Sequence, residues 1–171
     1  MQFQVQKKWI AVVSWGLVVG WMAMIFFLSS QQGEQSANLS GGITELVNQI
    51  VEQVAPDAEF KMDEISFFVR KNAHFFAYML LAILTLNAVR RSAWPGLSSM
   101  GAAFIISVMY AISDEVHQLF VPGRSGQVSD VLLDSAGALM GISLYAITSR
   151  WLGGKHKDKK ENQRTNENNL I

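Results

Sequence analysis

The sequence predicts an all-α integral membrane protein, a bundle of four transmembrane helices with one extracytoplasmic interfacial amphipathic helix. Three observations predict this fold class: half of the 171 residues are hydrophobic, four apolar stretches divide the chain, and the charged residues between them are sorted by sign. A chain of this length holds four spans and little else. We therefore expect one transmembrane domain over residues 1–152, followed by a short tail at 153–171.

The first apolar stretch, residues 9–28, is long and charge-free enough to cross about 30 Å of hydrocarbon unaided. Basic residues precede it, so a cleaved signal peptide is the alternative interpretation. Its apolar length of about twenty residues exceeds the usual signal-peptide core of about 7–15, which favours an uncleaved anchor. The other spans are predicted at about 67–89, 95–114 and 129–150, and each needs polar residues at its ends to reach membrane length.

Residues 39–54 form a helical pattern with one apolar face, too short and too polar to span a membrane. The segment is expected to lie in the outer interface or to cap the bundle, and Pro56 should end it. A packing helix is the favoured interpretation over a substrate gate. At the other end of the chain, the polar residues from Gly153 onward predict a disordered cytoplasmic tail whose lysines contact anionic lipid.

The loops predict the orientation of a multi-pass protein of the cell membrane. Segments 1–8, 90–96 and 148–171 fall on one side and hold ten of the fourteen basic residues. Segments 29–74 and 113–134 fall on the other side and hold eleven of the fourteen acidic residues. By the positive-inside rule, both termini are predicted to be cytoplasmic.

Ionisable residues from three spans are predicted to meet near the outer boundary of the membrane. His74, Asp134 and Asp114 lie sixteen or seventeen residues from the opposite ends of their spans, about 24–26 Å at helical rise. Ionisable groups at this depth usually face the interior of a bundle or a wet cavity. They therefore indicate a functional site.

Residue spacing places these groups on particular helical faces. Arg70 or Lys71, then His74 and Tyr78, follow one another by three or four residues and form one face of the second span. In the fourth span, Asp130, Asp134, Gly137 and Gly141 share a stripe whose small residues allow another helix to approach closely. The third span ends in Ser113-Asp114-Glu115-Val116-His117-Gln118, and Pro122-Gly123 turns the chain back so that Arg124 returns toward the acids.

Together these three blocks resemble the VanZ-like membrane proteins, a family named for teicoplanin resistance. The resemblance covers residues 67–145 and rests on Arg70-Lys71-x-x-His74-x-x-x-Tyr78, on the block from Ser113 to Arg124, and on Asp130-x-x-x-Asp134-x-x-Gly137-x-x-x-Gly141. Asp134 departs from the Asn that this family carries at least as readily there. The resemblance implies an envelope-associated role and lowered glycopeptide susceptibility, and it names no chemical reaction.

Three functions compete for this cluster. In the first, Arg70, Lys71 and Arg124 contact the phosphate of an anionic lipid or cell-wall precursor. The remaining predicted ligand contacts come from Tyr78, Gln118, Asp130 and Asp134. Membrane lipids, a cell-wall precursor or a glycopeptide are the expected partners, whereas nucleic acid is not, and the sequence leaves oligomerisation open.

In the second candidate function, the protein is a membrane-embedded hydrolase or transferase acting on a lipid. His74 or His117 would act as general acid or base, oriented by Asp114, Glu115 or Asp134. The sequence contains no cysteine, Gly-x-Ser-x-Gly motif or P-loop, and its spacing matches no zinc motif such as His-Glu-x-x-His. We therefore assign no metal ligands and leave the cofactor unknown; a divalent metal held by the acids and an imidazole stays an open alternative. In the third candidate function, the cluster is structural, and its opposite charges only hold the helices in register.

Overall fold

The structure is a computed structural model of the whole chain. It describes the backbone of residues 2–31, 33–54, 62–92 and 96–168, and within these the side chains of residues 5–31, 41–51, 53, 64–92 and 96–151.

All regular elements of the described residues are helices, which confirms the predicted fold class. Five helices follow one another: α1 (Gln2–Ser29), α2 (Gly33–Val54), α3 (Met62–Arg91), α4 (Leu97–Gln118) and α5 (Val128–Asn168). Four segments within them are long and apolar enough to cross a membrane, namely Val5–Ser29, Glu64–Arg91, Leu97–Gln118 and Val128–Trp151. Helices suit these segments because a spanning backbone must satisfy its own hydrogen bonds.

Helix α3 lies at the centre of the bundle and packs against each of the other four helices. Its Tyr78, Leu81 and Leu86 have no exposed surface and form the middle of the core. The large apolar side chains on the opposite surfaces of α1 and α5, such as Val13, Phe27 and Leu132, are more than half exposed. Such side chains are left to face lipid.

Helix α1 is hydrogen-bonded into the bundle along its length. The indole N–H of Trp21 donates to the carbonyl oxygen of Ala77 on α3 at 2.9 Å, and the hydroxyl of Tyr110 on α4 donates to the carbonyl oxygen of Met22 at 2.6 Å. These two bonds fix how far α1 stands from α3 and α4. This matters below, because part of the candidate site lies between α1 and α3.

Helix α2 begins earlier than the predicted position 39 and packs on α3. Thr44 is buried against the bundle, whereas Ile43, Leu46 and Ile50 are each more than half exposed. An uncovered apolar face suits a helix that rests in the membrane interface. Its position in the interface stays a prediction.

Two boundaries differ from those predicted. Helix α4 continues past residue 114 to Gln118, so the acids at its end lie on regular helix and not in a loop. Helix α5 extends beyond the predicted end of the fourth span at residue 150. The side chains after Trp151 lie outside the described residues, and the disordered tail stays a prediction.

Candidate functional site

The approach between α3 and α5 positions the site. A Cβ atom added at Gly137 would meet the backbone carbonyl of Phe75, and one added at Gly141 would meet that of Met79. The glycine stripe of α5 thus lies directly against the backbone of α3, as its small residues predict. Because Phe75 and Met79 each adjoin a polar residue of the α3 face, this contact sets the polar residues of both helices opposite one another.

Two charge pairs join α3 to α5 at this end of the bundle. The ammonium of Lys71 forms an ion pair and a hydrogen bond with the Asp130 carboxylate, and it also lies 5.0 Å from the centre of the Phe67 ring. One turn deeper, Nδ1 of His74 lies 3.9 Å from Oδ2 of Asp134. That separation exceeds a hydrogen bond, so the contact is an ion pair when the imidazole is protonated. Asp134 has no exposed surface.

The Lys71–Asp130 pair provides a first test of this geometry. Both side chains retain about a fifth of their surface, 21% and 17%, so the pair is partly screened by solvent. In a double-mutant cycle of Lys71→Met and Asp130→Asn, we expect a coupling free energy of about 1 kcal/mol in denaturant titrations of the detergent-solubilised protein. Strict additivity of the two substitutions would show that the pair does not form.

Helix α4 adds a buried acidic layer. Asp114 and Gln118 are buried, and the Gln118 amide donates to Oγ of Ser29 at 2.8 Å and to Oδ2 of Asp114 at 3.5 Å. The side chain of Gln118 therefore ties α4 to the end of α1. Oε2 of Glu115 accepts the backbone N–H of Gln127 at 2.8 Å, which holds the returning loop against α4.

The loop between α4 and α5 brings Arg124 onto the end of α1. Its guanidinium donates to the carbonyl oxygens of Gln31 at 3.3 Å and Leu28 at 3.4 Å, which are acceptors left open by the helix end. Burial lowers the pKa of Arg124 from its ordinary value, and the positive charge of nearby Arg70 lowers it further, while Asp114 and Glu115 act in the opposite direction. Arg70 and Arg124 thus form a pair of like charges.

Two adjoining cavities open beside this arginine pair. The polar cavity, about 240 Å³, is lined mainly by charged and amide side chains: Phe67, Arg70, Lys71, His74, Gln118, Gly123, Arg124, Ser125, Gln127 and Asp130. The mixed cavity, about 260 Å³, lies toward α1 and α2 and has mostly apolar walls: Ile25, Leu28, Ser29, Gln31, Ile43, Val69, Arg70, Ala73, His74, Ala77 and Arg124. Arg70, His74 and Arg124 line both cavities.

A group of buried oxygens lies beneath the cavities. Among the residues that the structure describes, Oδ1 of Asp114, Oε1 of Glu115, both carboxylate oxygens of Asp134 and the hydroxyl of Tyr78 have no hydrogen-bond partner. Asp114 and Asp134 both act electrostatically on His74 and on Tyr78, so these groups form one cluster. Buried polar groups are nearly always paired in folded proteins, and such a concentration of unpaired ones indicates a site.

Not every predicted residue reaches the cavities. His117 packs its ring on Phe26 of α1, with centroids 4.4 Å apart, and it lines neither the polar nor the mixed cavity. Tyr78 and Asp134 are fully buried below them. The described residues include no group of three or more His, Asp or Glu side chains placed to hold a metal ion.

Sequence reasoning missed the contribution of α1. Ser29 and Gln31 line the mixed cavity, and Ser29 also accepts the amide of Gln118. The signal was present in the polar run Ser29-Ser30-Gln31-Gln32, which follows a uniformly apolar span. Its apolar character alone predicts only an anchor.

Four spans joined around a buried charge cluster make this a multi-pass membrane protein. The family model described as VanZ/LLP1 matches residues 14–149, which is most of the chain. The chain belongs to this family. No curated protein and no solved structure matches it.

Proposed function

We propose that this protein binds the phosphate-bearing head group of a lipid-linked envelope molecule, with the phosphate held between Arg70 and Arg124 on the outer side of the membrane. The observation that carries the proposal is that these two guanidinium groups, from separate elements, line the same two cavities. Guanidinium groups bind phosphate through paired, charge-assisted hydrogen bonds.

The charge distribution supports an anionic ligand. Arg70 and Arg124 repel one another, and among the described residues no acid forms an ion pair with Arg70. An anion between them relieves that repulsion. Lys71 is already paired with Asp130 on the far wall of the polar cavity, so it adds a weaker contribution to the positive field.

The arginine pair gives the direct test. We expect Arg70→Gln and Arg124→Gln each to weaken binding of hexadecyl phosphate by about 10-fold, since a hydrogen bond to a charged group contributes about 1.5–3 kcal/mol. Binding is measured by titration of the full-length protein in a nonionic detergent. In cells, the double variant should lose any reduction in teicoplanin susceptibility that the unaltered protein confers.

Arg91→Gln is the matched control, because Arg91 is exposed at the opposite end of α3. Its affinity for hexadecyl phosphate should equal that of the unaltered protein. If the double variant Arg70→Gln, Arg124→Gln also binds hexadecyl phosphate with undiminished affinity at equal membrane levels, the proposed head-group site is wrong.

One observation favours a second function, hydrolysis or group transfer on the bound lipid. His74 lines both cavities while its Nδ1 faces the buried carboxylate of Asp134. A carboxylate in that position orients an imidazole and stabilises its protonated form, so the other ring nitrogen can take or give a proton at the ligand.

Turnover separates the two functions. If the protein is an enzyme, incubation with a labelled lipid phosphate or diphosphate releases product, and His74→Gln abolishes release while binding persists. Because His74→Gln also removes the positive charge beside Asp134, retained hexadecyl phosphate binding is the evidence that this variant is folded. Saturable binding by the unaltered protein without any product supports recognition alone.

A further inference from the structure

A third cavity continues the site along the bundle. This α1–α3 groove, about 300 Å³, has walls that are almost entirely apolar: Trp21, Met24, Ile25, Leu28, Ala73, Phe76, Ala77 and Leu80. It begins where the mixed cavity ends, because Ile25, Leu28, Ala73 and Ala77 line both. A continuous surface therefore leads from the arginine pair into an apolar channel on the membrane-spanning part of α3.

The groove exists because of two small side chains and one hydrogen bond. Ala73 and Ala77 are one helical turn apart on the same face of α3, so they leave a shallow strip where larger side chains would fill the space. The bond from the Trp21 indole to the Ala77 carbonyl fixes the position of α1 across that strip. Trp21 and Leu80 form the far end of the groove.

We infer that the ligand is a lipid phosphate that enters sideways from the bilayer, with its phosphate between Arg70 and Arg124 and the first part of its hydrocarbon chain in the α1–α3 groove. This inference rests on the proposed head-group site and adds the class of its ligand. The positive end and the apolar channel match the two ends of such a molecule in charge and in polarity.

The dimensions agree with a single chain. From Ala73 to Leu80 the helix rises by about 10 Å. An extended chain gains about 1.2 Å per bond, so the groove accommodates about eight carbons. The polar and mixed cavities, at about 240 and 260 Å³, are smaller than the range of about 300–1,000 Å³ that holds drug-sized ligands. Only together do they reach the lower part of that range, which suits a head group and leaves the hydrocarbon chain to the groove.

The test compares a long-chain with a short-chain phosphate on the full-length protein in nonionic detergent. Leu80→Trp narrows the far end of the groove at a residue that lines neither the polar nor the mixed cavity, and we expect it to weaken hexadecyl phosphate binding by about 10-fold while ethyl phosphate binding stays unchanged. Leu139→Trp is the matched control, since Leu139 is exposed on α5 and lines none of the three cavities. It should alter neither affinity.

The possible results separate this inference from the proposed function. If Leu80→Trp leaves hexadecyl phosphate affinity unchanged, or weakens both probes equally, the chain does not lie in the groove, even where Arg70→Gln weakens binding. If Arg70→Gln and Arg124→Gln weaken neither probe, the head-group site itself is wrong and this inference falls with it.

A second measurement needs no substitution and so does not depend on a variant folding. A hexadecyl phosphate with a photoreactive diazirine near its sixth carbon should label residues 21–28 and 73–80, and excess unlabelled hexadecyl phosphate should suppress the labelling. Labelling elsewhere, or labelling that the competitor does not displace, means that the groove holds only bulk lipid and overturns the inference.

Discussion

Gly137→Ala is expected to destabilise the protein by about 2 kcal/mol, although alanine is the better helix former. Alanine gains up to about 1 kcal/mol over glycine from helix propensity. At Gly137, however, the added Cβ would overlap the backbone carbonyl of Phe75, which cannot rotate away. The two helices must therefore separate. Overpacking of this kind costs about 1–3 kcal/mol or more, which exceeds the gain from helix propensity.

Gly101→Ala supplies the control because a Cβ at Gly101 on α4 would meet nothing within 4 Å. Propensity alone acts there, so this substitution should be neutral or stabilising. In parallel denaturant titrations, the unfolding midpoint should therefore fall for Gly137→Ala and stay unchanged or rise for Gly101→Ala. Equal shifts of the same sign would mean that α3 and α5 are not in backbone contact at Gly137.

The contact between α3 and α5 is also the part of the site that the sequence predicts best. Its two faces are regular: Lys71, His74 and Tyr78 repeat at helical spacing, and the acids of α5 stand in line with its glycines. The acids and the glycines of α5 lie on one stripe, so a helix that packs closely on the glycines also buries the acids. Periodicity therefore predicts that these two faces meet, and it leaves open whether Asp114, Glu115 or Asp134 lies beside the imidazole. The structure places Asp134 there, 3.9 Å from His74.

The rotation of α4 was harder to predict. His117 and Gln118 stand three and four residues after Asp114, so either could share its face. The structure turns Gln118 toward Asp114 and Ser29, while the ring of His117 lies on Phe26. Tertiary packing against α1 decides between them, and the uniform hydropathy of α1 does not show which of its faces is turned inward.

The cavities could not be predicted for a related reason. Ala73 and Ala77 are ordinary residues of an apolar span, and nothing local marks them as the floor of a groove. Their role depends on the distance between α1 and α3, which is set by the long-range bond from Trp21. Sequence pattern predicts which faces are buried but not how much space remains between them.

His74→Leu is expected to destabilise the protein by about 3–5 kcal/mol. The carboxylate of Asp134 has no exposed surface, and among the described residues its oxygens have no hydrogen-bond partner, so the protonated form of His74 compensates its charge. Removing one member of a buried pair leaves the other charge uncompensated, which lowers the free energy of unfolding by about 3–5 kcal/mol. Lys71→Leu, at a pair that retains solvent contact, should cost about 1 kcal/mol or less.

A second substitution tests whether the stability loss in His74→Leu comes from the lost charge or from the changed shape of the side chain. Asp134→Asn removes the buried charge with almost no change in volume, so in the His74→Leu background it should recover most of the lost free energy of unfolding, measured by denaturant titration in detergent. Asp134→Asn in Lys71→Leu should recover far less, since Lys71 pairs with Asp130 and only the repulsion between the two carboxylates is relieved. If Asp134→Asn fails to rescue His74→Leu, the loss comes from the packing of the imidazole, and the pair contributes nothing as a pair of charges.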